Sequence, residues 1–332
     1  MINRVLLYNS GGGIGDAIQI LPLINGLKSE FKNAVFYYLC SHENHFNSSL
    51  RDLNCNIDTL SLNIKYFGFR WWHLLAVKKN IKKLGIERFD LIIDLQSKIR
   101  NSLILKRIPH KIFVSSCFNF RLSKPNLKID KKSSKINDNI LKALNIALKT
   151  NIKLIDYNIN KIDKKFYTES NRLLPEKNYV GFSITQGNIY RKKEWPFANI
   201  IKIAKTLKEN NKIPVFFIEK KNHILKDKIK EKIPFAKFPE HESELSSPSL
   251  VVCLAKKLDF AITIDNGIMH MLSLAKIPLI VLFGPTDPNK FAPNHKNTVI
   301  LDSKKIYKTK NISSISSEDV LQAAMRHSNF LN

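Results

Sequence analysis

The chain has 332 residues, 44% of them apolar and 25% charged, a globular balance that excludes wholesale disorder, collagen-like and coiled-coil architectures. A single hydrophobic core rarely grows past roughly 250–300 residues, so two lobes are expected. Lys and Arg number 54 against 28 Asp and Glu, a net charge of +26 whose long-range field favours an anionic partner. The abundance of Lys, Ile and Asn is equally what an AT-biased genome imposes on any chain.

Residues 5–8, 34–39, 89–95 and 111–114 are short, nearly continuous apolar runs, the pattern of parallel strands covered on both faces. Between them, 16–30, 71–84 and 134–149 read as helices, the last with Ile140, Leu141, Leu144 and Leu148 at helical spacing. Strand and helix in alternation predict a doubly wound, Rossmann-like α/β domain over 1–172. The opening run 5–8 is too short for a secretory leader, and no stretch approaches the roughly 20 apolar residues of a membrane span. Cys40, Cys55, Cys117 and Cys253 are scattered, which suits reduced thiols in a cytoplasm and neither a disulfide framework nor a zinc site.

The same architecture restarts after the polar segment 174–178, with the linker placed near 170–178. Strands are expected at 179–184, 215–218, 260–264 and 279–283, and helices at 197–209, 249–257 and 267–275, a second Rossmann-like domain over 178–315. The tail, 316–332, carries a last helix over 317–327, capped by Ser316 or Ser317 with Glu318 and Asp319 in its first turn. The loop 285–296, with three prolines, is long enough to serve a site.

Two such lobes facing across a cleft bind ligands at the C-terminal ends of their strands, so four loops carry the chemistry. Asn9-Ser10-Gly11-Gly12-Gly13-Ile14-Gly15-Asp16 follows the first strand. It misses the dinucleotide fingerprint because Asp16 stands where the third glycine belongs, and a carboxylate there repels a pyrophosphate. Asp16 reads first as a helix first-turn residue; functionally, a carboxylate held by helix N–H groups stays ionised and can act as a base. Thr185 to Pro196 places Arg191, Lys192 and Lys193 where cations can meet phosphate oxygens, although any one lysine reads first as solvated surface, and Trp195 as packing. Asp265-Asn266-Gly267 opens a helix whose backbone N–H groups can receive an anion, with His270 reading first as a core histidine. Phe283-Gly284-Pro285-Thr286 fixes a turn. No Asp-x-Asp pair, phosphate-binding P-loop or Gly-x-Ser-x-Gly elbow is present, so a diphosphate would have to be neutralised by lysine and helix dipole.

Together Gly15-Asp16 with Pro22, Asp94-Leu95-Gln96 with Arg100, Lys193-Glu194-Trp195-Pro196, Asp265-Asn266-Gly267 with His270, and Phe283-Gly284-Pro285-Thr286 resemble glycosyltransferase family 9, the ADP-heptose:lipopolysaccharide heptosyltransferases of GT-B fold. The resemblance implies an inverting, metal-independent transfer of heptose or a related sugar from a nucleotide-diphosphate sugar, ADP-heptose first, to a hydroxyl of the lipid A–Kdo inner core. No cofactor is implied, and the protein would be cytoplasmic, peripheral on the inner face of the inner membrane. Asp16 matches the general base and Lys193 the lysine on the donor phosphates. Gly187, Asn188, Asp265, Asn266, Gly267, His270 and Thr286 fall on the donor side, and Gly13, Gly15, Gln96 and Arg100 on the acceptor side. After the second strand of the second lobe, where the family reads the ribose, this chain has Glu219-Lys220-Lys221-Asn222-His223; Glu219 or His223 would take that contact. Transfer of another sugar to another surface glycan is the alternative.

Two rivals remain weaker. An NAD-dependent oxidoreductase lacks its third glycine, and Glu43 is a poor ribose contact. A nucleic-acid-binding protein has the charge but no readable module, so no nucleic-acid partner is expected. The charge instead suits docking on anionic lipid, with Phe67, Phe69, Trp71 and Trp72 beside Lys65 and Arg70 as an interfacial patch.

Overall fold

The computed structural model describes residues 1–10, 13–41, 44–186, 190 and 192–327. The chain divides into two units, Met1–Asn158 and Ile159–Asn332, each built on a five-stranded parallel sheet.

In the first unit β1 (Arg4–Asn9), β2 (Val35–Cys40), β3 (Asp58–Thr59), β4 (Phe89–Asp94) and β5 (His110–Ser115) lie in the order β3-β2-β1-β4-β5. Every residue of β4 is buried, and β1 is exposed only at Arg4, as continuous apolar runs require when helices cover both faces. The helices are α1 (Ile14–Gln19), α2 (Leu21–Glu30), α3 (His73–Lys83), α4 (Ile99–Leu105) and α5 (Ile136–Leu148). The single helix expected over 16–30 is two. Pro22 in the first turn of α2 has no N–H to offer the carbonyl of Ile18, so the ladder breaks at Ile20.

The second unit starts with α6 (Lys164–Leu173), then β6 (Tyr179–Ser183), α7 (Phe197–Glu209), β7 (Ile213–Phe216), α8 (His223–Lys232), α9 (Pro248–Ala255), β8 (Leu258–Ile264) and α10 (Gly267–Leu274). It ends with β9 (Leu279–Phe283), α11 (Pro288–Phe291), β10 (Thr298–Asp302), α12 (Ser303–Ile306) and α13 (Ser317–His327). Its sheet order is β10-β9-β8-β6-β7, so the two units are not copies of one another: in the first, two strands lie beyond the opening strand on one side, in the second only one. The boundary also differs from the sequence reading. Residues 164–172, assigned above to the first domain, lie in α6, which packs against α9 of the second unit; the polar stretch 174–178 is the turn from α6 into β6, not a linker.

Ser316 caps α13 reciprocally with Asp319: the Asp319 N–H donates to Ser316 Oγ at 3.1 Å and the Ser316 N–H to Asp319 Oδ2 at 2.8 Å, a capping box. Val320, Ala323 and Ala324 of α13 enter the same core as Trp195, Ile200 and Phe182. Among the described residues, no helix is long and apolar enough to cross a membrane.

Strand order reverses between β1 and β4 in the first unit and between β6 and β8 in the second. These are the topological switch points, where crevices open beyond the C-terminal strand ends. Three of the four loops singled out in the sequence, those after β1, β6 and β8, follow strands at these points; the fourth, Phe283 to Thr286, follows β9.

Candidate functional site

In the second unit, the loop after β6 and the start of α10 build one polar centre. Lys193 Nζ donates to the Asp265 carbonyl at 2.9 Å and makes an ion pair with Asp265 Oδ2; the two side chains are 10% and 8% exposed. A carboxylate and an ammonium this far from water hold each other in place, and removing either leaves the other desolvated and unpaired. The lysine is fixed along its backbone as well. Its N–H donates to Gln186 Oε1 at 2.9 Å, and Gln186 Nε2 donates to Glu194 Oε1 at 2.8 Å. Two residues on, Trp195 is buried and donates Nε1 to the carbonyl of Ile315 at 2.9 Å, so it packs and does not stack on a ligand.

Asn266 is the N-cap of α10: Oδ1 accepts the N–H of Met269 at 2.9 Å, while Nδ2 donates to Ser183 Oγ at 2.7 Å and to the Thr185 carbonyl at 2.9 Å. One amide thus ties the helix start to the end of β6 and the loop carrying Lys193. Gly267 is the first residue of the helix, where N–H groups have no intrahelical acceptor and the dipole favours an anion. One turn later His270 is buried; desolvation, aided by the Lys193 ammonium and opposed by Asp265, pushes its pKa down to about 4. It is a neutral imidazole at pH 7, so the positive character of this centre comes from Lys193 and the helix. Of the ammonium's three N–H groups two are engaged with Asp265, and the third has no partner among the described residues.

Thr286, after β9, presents its carbonyl to Lys304 Nζ; its hydroxyl is buried with no partner among the described residues. Gly284 before it is needed for close packing, since a Cβ would lie 2.8 Å from Ile312 Cβ and 2.9 Å from its backbone N. Gly187 and Asn188, expected on the donor side, lie outside the described residues.

Glu219 and His223 follow β7, the edge strand beside β6. Glu219 is exposed and pairs with Lys221 at 2.6 Å, and His223 opens α8 on the surface. Beneath them the structure shows two residues the sequence reading passed over. Glu240 is buried, and desolvation together with the Glu219 carboxylate raises its pKa to about 7. His241, its ring edge-on to His223 at 5.2 Å, is pushed down by burial and by the neighbouring His223. Glu240 Oε2 and both His241 ring nitrogens are buried without hydrogen-bond partners among the described residues. Nothing in the sequence shows that residue 237 pairs with Val215 alongside β7 and so carries Phe238-Pro239-Glu240-His241 to that strand's end.

In the first unit Asp16 is a half-buried first-turn residue of α1, whose N-cap is Gly13; its N–H donates to the Gly13 carbonyl at 3.1 Å. Gly15 is buried within the helix. Asn9 Nδ2 reaches the Asp16 carbonyl at 3.4 Å, and Gln96 Nε2 donates to Asn9 Oδ1 at 2.6 Å. Gln96 is in turn held by Asp94, whose Oδ1 accepts its N–H at 2.9 Å and whose Oδ2 accepts the hydroxyls of Ser102 and Ser115 at 2.6 and 2.9 Å. Burial raises the pKa of Asp94 to about 6 against those hydrogen bonds. Gln96 thus belongs to the Asp16 neighbourhood. Arg100 turns elsewhere, its Nε donating to the Gly68 carbonyl at 2.7 Å, and it holds the loop before α3. Beyond β2 and β3 opens a cavity of about 700 Å³ whose lining mixes Ser41, Asn44, Thr59 and Asn63 with Leu39, Leu60, Leu62 and Ile64.

The family model for glycosyltransferase family 9 (heptosyltransferase) matches residues 77–321. Lipooligosaccharide heptosyltransferase 2 of Haemophilus influenzae is 27% identical over 140 residues; the match covers 41% of this chain and 40% of that relative. Among solved structures, a family 9 glycosyl transferase from Veillonella parvula superimposes with a TM-score of 0.70 at 19% identity, over 99% of this chain and 97% of that one. E. coli heptosyltransferase WaaC with ADP gives 0.68 at 15% identity, over 98% and 99%. At such identities the structural matches show the fold: two parallel-sheet α/β domains as in GT-B heptosyltransferases.

Proposed function

The chain belongs to glycosyltransferase family 9, and on that premise we propose that it moves a heptose, or a related sugar, from a nucleotide-diphosphate sugar to a hydroxyl of the lipopolysaccharide inner core. The proposed donor is ADP-heptose and the proposed acceptor an anionic glycolipid of the lipid A–Kdo type. The transfer inverts the anomeric centre and uses neither metal nor cofactor. Asp16 takes the proton of the acceptor hydroxyl as its oxygen attacks the anomeric carbon. Lys193 and the N-terminus of α10 stabilise charge growing on the departing diphosphate. Asp265, held by Lys193, offers its carboxylate to the donor sugar, and Asn266 keeps both loops in register; His270, being neutral, packs. Gly187, Asn188 and Thr286 complete the donor side, and Gly13, Gly15 and Gln96 the acceptor side. The enzyme works in the cytoplasm at the inner face of the inner membrane, where such an acceptor would be presented.

The observation that carries this reading is the buried Lys193–Asp265 pair seated on the start of α10, a prepared place for an anion next to a sugar-binding carboxylate. A panel of nucleotide sugars tests it, read as release of the matching nucleoside diphosphate and as donor-induced thermal stabilisation. ADP-heptose should give both with a lipid A–Kdo acceptor; a panel in which no nucleotide sugar stabilises or turns over ends the proposal. The unusual segment 219–223 and the polar cluster of Glu240 and His241 favour, as second reading, a different nucleotide or sugar for another surface glycan, and the same panel separates the two.

A further inference from the structure

We infer that the outer face of α3, with the loop before it, is a docking surface for an anionic lipid bilayer. The inference rests on the reading of the acceptor as membrane-borne for its purpose, but not for its test.

The loop is built to present aromatic rings. Phe67 is buried against Tyr8 at 5.6 Å and stacked on His73 at 6.0 Å, so it anchors the loop and is not part of the patch the sequence suggested. Gly68 has a φ of +88°, and a Cβ there would meet Tyr8 Oη at 2.1 Å, so no larger residue fits this turn. Its N–H donates to His73 Nδ1 at 3.0 Å, and its carbonyl is the acceptor for Arg100 described above. Around this pinned turn the neighbours face water: Tyr66 and Phe69 are exposed, as are Trp71 at 53%, Trp72 at 57% and Leu75 at 81%. Lys65 lies over the Tyr66 ring at 5.4 Å and Lys98 over Phe69 at 5.7 Å. A soluble surface seldom gathers this many large apolar side chains without a partner.

The helix continues the surface with charge. His73, Val77 and Ile81 face the core, which turns Trp72, Leu75, Lys79, Lys82 and Lys83 outward on the opposite side. Between residues 59 and 86 the chain carries six cations and no carboxylate, and none of Lys78, Lys79, Lys82 and Lys83 forms an ion pair among the described residues. Lys78 also lines a concavity of about 320 Å³ with Lys106, Arg107 and His110, a cationic recess fitted to a lipid phosphate. Tryptophans and a leucine at one end and lysines along the rest make an interfacial helix: rings enter the headgroup region while ammonium groups meet anionic lipid. A protein partner would need complementary acid; a bilayer supplies it everywhere.

The full chain is mixed with vesicles of phosphatidylglycerol and phosphatidylethanolamine, with no glycolipid, and with phosphatidylcholine vesicles as control. Retention on the anionic vesicles alone is expected, with a blue-shifted tryptophan emission that brominated lipid quenches; Trp195, the third tryptophan, is buried and contributes no shift. Trp71→Ser/Trp72→Ser should abolish the shift and weaken retention, and Lys→Gln at 78, 79, 82 and 83 should weaken it by about fivefold per lysine removed. All six side chains are exposed, so both variants should melt as the wild type does. No retention at moderate salt, equal retention on phosphatidylcholine, or unchanged retention of both variants overturns the surface. So does comparable capture of an oligonucleotide lost in the same lysine variant, which would make it a nucleic-acid face. Sugar transfer to a water-soluble acceptor fragment is measured in parallel: normal transfer without vesicle binding refutes only the surface, and vesicle binding without transfer refutes only the enzymatic reading.

Discussion

Replacing Lys193 with Met tests the polar centre of the second unit. The methionine keeps the aliphatic bulk but leaves the Asp265 carboxylate, 8% exposed, without its cation. Breaking a buried pair in this way costs about 3–5 kcal/mol, whereas losing an exposed surface pair costs about 0–1 kcal/mol. For a domain of this size 1 kcal/mol moves the melting temperature by roughly 2–4 °C, so the transition of the second unit should fall by about 6–20 °C. Calorimetry of the single variants and of Lys193→Met/Asp265→Asn supplies a double-mutant cycle. The double variant, which no longer buries a lone charge, should recover at least half of the loss while remaining unable to bind a nucleotide sugar. A single variant that melts within about 2 °C of the wild type, or a double variant whose loss is the sum of the two singles, would refute the pair as a buried and coupled unit.

Three other outcomes follow from geometry already described. Because burial raises Glu240 from the usual carboxylate range to about 7, its contribution to stability is complete below the unfolded pKa and lost as pH rises through the folded one. Against Glu240→Gln, the wild type should therefore lose about 3 kcal/mol between pH 4 and pH 8, and parallel curves for the two proteins would contradict this. Asn266→Ala removes the cap of α10 and its bonds to Ser183 and Thr185; denaturant unfolding should show a loss of about 1–2 kcal/mol, with a weaker donor Kd. Gly284→Ala drives a methyl into Ile312 and should cost about 1–3 kcal/mol; a neutral result would mean that this turn relaxes without strain.

The central strands were legible because they are buried on both faces: 89–95, 179–184 and 279–283 stand out as nearly continuous apolar runs. The edges were not. β3 is two residues long and β10 is half exposed, so neither carries a continuous apolar signal, and α8 buries only Ile229, too little for a helical stripe among its lysines. The boundary was misplaced for a related reason: α6 faces solvent with most of its charges and shows its core side through only Phe166, Ser170 and Leu173. The places of Asp16, Lys193, Asp265 and Asn266 beyond strand ends were readable because the run of each preceding strand was clear. Arg100 was placed by the family resemblance, which cannot show that Gly68 lies within its reach. Glu240 and His241 owe their environment to a pairing beside β7 that has no local signature.

The most direct test of the account is the rate of sugar transfer by Asp16→Asn, measured under saturating donor together with the donor Kd. The amide keeps the size and first-turn position of the carboxylate but cannot accept the acceptor's proton. A fall in kcat of about 10²–10⁴ is expected, with the donor Kd within a factor of a few of wild type, because the proposed donor centre belongs to the other unit. Near-normal turnover by this variant would contradict it.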